Sequence, residues 1–111
     1  MATISNLYVD AGSTYSNIIT VTASNGQPLN LTGYTVASQM RKSYQSSQMY
    51  AFTASIYLAT SGKIRLQLTD EQSALIPAGR WLYDVEITSS SGATSRVVEG
   101  IVTVNPQITQ S

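Results

Sequence analysis

Asp84 and Glu86 are two carboxylates set two residues apart in "RWLYDVEI", residues 80–87, a stretch that reads as one β-strand. A strand sends successive side chains to opposite faces, so Arg80, Leu82, Asp84 and Glu86 share one side, and Trp81, Tyr83, Val85 and Ile87 share the other. Paired carboxylates at close separation are what a glycosidase uses as acid and as base or nucleophile. On a half-solvated strand the same two residues also serve as partners for Arg or Lys on neighbouring strands. A glycosidase needs a deep, aromatic-lined cleft, and 111 residues leave little material to build one. The sheet-face reading is therefore preferred, and no catalytic role is expected.

Other reactive groups are sparse. The chain has no histidine and no cysteine, which removes the usual general base, the usual zinc ligands, the Ser-His pair and the thiolate nucleophile. Asp70-Glu71 sits where a helix should begin and lacks the Asp-x-Asp-x-Gly pattern of a calcium loop. The glycines are scattered singly, so no phosphate-cradling loop is present. Arg41-Lys42 is the one adjacent basic pair, and it suits the solvated end of a strand. Basic and acidic residues balance at six each, leaving no long-range field to attract DNA, RNA or an anionic membrane. The expectation is no cofactor, no metal, no nucleic acid, no membrane and no small-molecule substrate.

The aromatic residues point towards contacts with other proteins. Seven tyrosines stand beside one Phe and one Trp, and a Tyr hydroxyl needs a polar partner or water, which places several at a rim or an interface. Tyr44, Met49 and Tyr50 lie among Ser and Gln in "RKSYQSSQMY", a mix that resembles adaptable binding loops. With Arg80, Leu82, Asp84 and Glu86 they form the candidate protein-contact set.

Positioning these residues requires strands. The 16 Ser and 13 Thr beside few charges favour strands and turns over helices. Apolar residues recur with period two through segments near 3–9, 15–23, 34–40, 50–56, 63–68, 80–87 and 94–104, with turn-forming clusters between them. Leu29 and Leu31 are placed to plug one end of a core. "TDEQSALIPAG" breaks the rhythm: Thr69 with Gln72 has capping-box spacing, and Pro77 and Gly79 end the turn. In the last strand neither parity is purely apolar, which a bulge near Gly100 would explain. Seven strands at roughly ten-residue spacing, with no βαβ pattern, predict one all-β domain over 1–111. The expected form is an antiparallel immunoglobulin-like β-sandwich with one short helical turn, a small barrel being the alternative. The opening stretch has neither the basic start nor the apolar run of a secretory signal, so synthesis as a soluble protein in the cytoplasm is expected.

Four stretches in order carry a family likeness: Leu31-Thr32-Gly33 before the third strand, Gly62 to Leu66, Tyr83 to Ile87, and Glu99 to Val104. Over nearly the whole chain this pattern resembles the small immunoglobulin-like structural proteins of tailed bacteriophages, including the N-terminal domain of phage upper baseplate proteins. The resemblance implies a virion component without catalysis, made in the host cytoplasm. It implies assembly through contacts with other tail, baseplate or capsid proteins and with copies of itself, commonly in rings or trimers. A capsid decoration protein, or a module that binds carbohydrate or the host surface, are the alternative roles.

Overall fold

The segment 63–68 shows how the strands arise: Ile64, Leu66 and Leu68 are buried, and Lys63, Arg65 and Gln67 alternate with them towards solvent. In the computed structural model, which describes residues 3–23, 25–43 and 48–106, the same period recurs along the chain. The strands are β1 (Thr3–Ile4), β2 (Leu7–Asp10), β3 (Tyr15–Thr20), β4 (Thr35–Arg41), β5 (Met49–Leu58), β6 (Lys63–Leu68), β7 (Gly79–Thr88) and β8 (Thr94–Asn105). A 3-10 turn at Ala59–Ser61 and a helix α1 (Asp70–Ala74) complete the described elements. Among the described residues no helix is long and apolar enough to cross a membrane.

The all-β expectation holds. The strands form one sheet in the order β1-β8-β7-β4-β5-β6-β3, with β2 also on β8, and the sheet curls into a half-barrel. Neighbours are antiparallel except β1 and β2, which run parallel to β8. Where the sequence suggests two separate sheets, a single strand joins two wings: β5 pairs with β4 through Phe52, then with β6 from Thr53 onwards. Alternation along β5 looks the same whichever neighbour it has, so the crossing point leaves no mark in the sequence.

The inward faces of both wings meet in an aromatic-rich core. Trp81 is almost wholly buried, and its Nε1 donates to the Pro77 carbonyl at 3.0 Å. Tyr50 meets the Trp81 ring edge-on at 5.3 Å between centroids, and Phe52 meets Tyr83 in the same manner at 6.1 Å. Such pairs add about 0.5–1.5 kcal/mol each beyond the area they bury. Ser38, buried in the same face of β4, donates to the Asp84 carbonyl at 2.7 Å, so its hydroxyl is satisfied.

Leu31 is fully buried and closes one end, with its N–H bonded to the Ala59 carbonyl. Gly62 makes that closure possible, because it sits at φ +68 and a Cβ there would lie 2.6 Å from the Val21 carbonyl oxygen. At the other end α1 has the capping box the sequence predicts: Thr69 Oγ1 accepts from the Gln72 N–H, and Gln72 Oε1 accepts from the Thr69 N–H. Ser73 on α1 ties this end together, accepting from the Gly12 N–H at 3.0 Å and donating to the Ser13 carbonyl at 2.7 Å.

One expectation is corrected and another, the bulge near Gly100, is located more closely. The first strand is broken at Ser5-Asn6, where the Asn6 side-chain oxygen accepts the Ile101 N–H and the Ser5 N–H bonds to the Glu99 carbonyl. The bulge in β8 lies at Val97, between the pairs Val85↔Val98 and Glu86↔Arg96, and Gly100 pairs regularly with Tyr83. Gly100 is small for another reason: a Cβ on it would run into the Ser5 carbonyl as β1 gives way to β2.

Candidate protein-contact face

β7 is central in its wing, between β4 and β8, so its outward side chains are flanked on both sides. Register sets out the rows. Ala37, Glu86 and Arg96 form one, Gln39, Asp84 and Glu99 the next, and Arg41, Leu82 and Ile101 the third. Met49 extends the third row on β5, and Arg80 opposite Thr103 begins a fourth. Leu82 is half-buried, whereas Arg80, Glu86 and Met49 are exposed.

The bulge at Val97 creates the charge pattern. It turns Arg96 onto the outer face, where its Nε lies 3.1 Å from Asp84 Oδ2 and its Nη1 lies 3.9 Å from Glu99 Oε2. Asp84 and Glu99 are directly opposed across β7 and β8, a like-charge pair that disfavours the ladder unless a cation bridges it. Arg96 is that cation. The partners are partly exposed, so each ion pair contributes no more than about 1 kcal/mol. Their main effect is to hold the carboxylates in a fixed pattern.

These residues surround a shallow concavity of about 250 Å³, lined by Gln39, Arg41, Leu82, Asp84, Glu86, Arg96 and Glu99 among others. That is below the ~300–1,000 Å³ of pockets that engulf a small ligand. Arg41 Nη2 lies 3.5 Å from Gln39 Oε1 and 3.6 Å from the Met49 sulfur, which ties the third row to the second. Among the described residues no three carboxylates gather closely enough to hold a metal ion. The arrangement offers a fixed set of hydrogen-bonding and charged groups beside apolar side chains, which suits recognition of another protein surface.

Of the residues singled out in the sequence, Leu82, Asp84 and Glu86 come together here, with Met49 and Arg80 at the margins. Tyr50 does not join them. It is half-buried with its ring against Trp81, and Gln48 Nε2 lies 3.4 Å from its hydroxyl. Tyr44 lies outside the described residues. Sequence reasoning did not single out Gln39, Arg96, Glu99 and Ile101. Their membership depends on the bulge and on strand register, and the mixed parity of residues 94–104 was the one available signal.

Among the described residues, the one group pushed as far as about 12 lies on the inner side of the same strand. Burial pushes the Tyr83 hydroxyl up to about 12, opposed by a side-chain hydrogen bond with Ser5 and helped by the charge of Tyr15. Tyr15 is raised as well, first by burial, against a hydrogen bond with Asn17. Tyr83 is also among the residues that line the concavity, while its ring packs against Phe52 and its hydroxyl donates to the Ser5 carbonyl. No family model matches this chain, and no curated protein matches it.

Proposed function

We propose that this chain is a non-enzymatic structural subunit of a bacteriophage virion, of tail or baseplate, that assembles through protein contacts. The observation that carries the proposal is the outer face of β4, β7 and β8. It is shallow, Asp84 and Glu99 are held by Arg96, and Met49, Leu82 and Ile101 lie beside them in a row that Arg41 interrupts. A neighbouring protein surface can cover such a face, and the many copies on one particle make weak contacts strong together. The stretches that resemble phage immunoglobulin-like proteins lie at structurally demanding places: Leu31 seals the core, Gly62 permits the closure, and Tyr83 to Ile87 form the middle of β7.

The half-barrel is read as an opened immunoglobulin-like sandwich, its two wings facing each other and joined through β5. Parallel pairing of β1 and β2 with β8, and antiparallel pairing of β3 with β6, support this topology. Sugar recognition is less favoured, because Tyr50 faces Trp81 and is not displayed to a glycan. Mass spectrometry of purified particles tests the proposal. The chain is expected in multiple copies per particle, and recovery from infected-cell lysate but never from particles would overturn it.

A further inference from the structure

The two edges of the sheet differ. On one side β1 and β2 are only two and four residues long, broken at Ser5-Asn6, and end at Asp10. Short, interrupted and charged edges resist pairing with another chain. On the other side β3, "YSNIIT", has six residues without charge, proline or bulge, and among the described residues its one strand neighbour is β6. Nothing in its sequence guards it.

The direction of its free groups follows from the ladder. The Val21 N–H bonds to the Gly62 carbonyl on the β6 side. Hydrogen-bonding direction alternates along an antiparallel strand, so Ser16, Ile18 and Thr20 aim their N–H and C=O groups at the open edge. The Ile18 side chain is 43% exposed there. An extended strand is the occupant these groups specify.

We infer that β3 pairs antiparallel with β3 of a second copy of this chain, joining two half-barrels into one sheet across a two-fold axis. The edge is complementary to itself. Placing the outward-directed groups opposite one another sets Ile18 against Ile18 of the other copy, and Ser16 against Thr20 in both directions, with about six new backbone hydrogen bonds. The two isoleucines, β-branched and exposed, meet as a favourable cross-strand pair on the outer face. The charges nearest the edge stand on β6: Arg65 opposite Ile18, and Lys63 opposite Thr20 with its Nζ 3.1 Å from Thr20 Oγ1. The β6 strands of the two copies would lie three strand spacings apart, roughly 14 Å, beyond the Debye length of about 8 Å at physiological salt. Like-charge repulsion therefore does not oppose the pairing. This inference concerns a different surface from the outer face of β7, and the isolated chain tests it without a particle.

Analytical ultracentrifugation over a concentration series should show wild type passing from the 11.9 kDa chain to twice that mass. Ile18→Pro removes one edge-facing N–H that β6 does not use, a position where an edge strand tolerates proline. Ile18→Lys keeps the backbone donors and sets two ammonium groups opposite each other. Both should remain at chain mass while retaining the wild-type far-ultraviolet circular dichroism spectrum. The chain has no cysteine, so Ile18→Cys gives a clean cross-link: opposed Cα atoms at about 5.5 Å fall within disulfide range. Oxidation should join it to itself, and Ser55→Cys, on the same face two strands inward, should not cross-link. A wild type that stays monomeric throughout, or a dimer that survives both Ile18→Pro and Ile18→Lys, would overturn the inference.

Discussion

Replacing Tyr83 with Phe should weaken the protein at neutral pH and strengthen it relative to wild type in strong alkali. The Tyr83 hydroxyl donates to the carbonyl of Ser5, the residue at the break between β1 and β2, and the residue is 4% exposed. Phe keeps the ring against Phe52 and loses the bond, at a cost of about 1 kcal/mol. The folded protein holds the hydroxyl protonated up to about 12, against an ordinary value of 10.0. Below pH 10 both folded and unfolded states bind the proton, so the stabilisation is complete. Between 10 and 12 the unfolded chain releases it first, and stability falls with rising pH. A gap of that size corresponds to a loss of at most about 2.7 kcal/mol. The difference between wild type and Tyr83→Phe should therefore be about +1 kcal/mol at pH 8, reverse sign between about pH 10 and 11, and favour Tyr83→Phe by about 1 kcal/mol at pH 12. Urea denaturation of both proteins at matched pH values measures it, since contributions common to both, including the other tyrosines, largely cancel. A difference that stays constant from pH 8 to pH 12 would refute the argument from burial.

Two further substitutions test how the ends and edges are held. Gly100→Ala sets a methyl group against the Ser5 carbonyl, and overpacking of this kind costs about 1–3 kcal/mol. The variant should become open to proteolysis near residues 3–10, and unchanged protection there would count against the close approach. Ser73→Ala leaves the Gly12 N–H without its acceptor in a part-buried place, costing about 1–3 kcal/mol. Chemical denaturation should show that loss, whereas a change of a few tenths would mean that water replaces the hydroxyl freely.

Period-two alternation was enough to place most strands and to separate the outer from the inner side of residues 80–87, because sheet faces depend on local chain geometry alone. The capping box at Thr69 and Gln72 was legible for the same reason. Long-range pairing was not. In "TISNLYV" nothing local shows that the strand lies parallel to β8 and breaks where Asn6 takes the Ile101 N–H. Gly100 advertised an irregularity that lies three residues earlier, at Val97, because close approach of another strand and a bulge both favour a small residue. The contact face was half legible: Leu82, Asp84 and Glu86 follow from parity, but Arg96 reaches Asp84 only because the bulge turns it outward. Tyr50 misled because a tyrosine with its ring in the core and its hydroxyl at the rim has the same sequence signature as one displayed for binding.

The proposed role stands or falls on whether a neighbouring subunit covers the outer face of β7. A particle reconstruction with side chains resolved would decide this. Leu82, Asp84, Glu86 and Arg96 should be buried against a neighbouring subunit, with Asp84 or Glu86 meeting a cation from that neighbour. The same four residues facing open solvent in every copy would contradict the proposed role for this face.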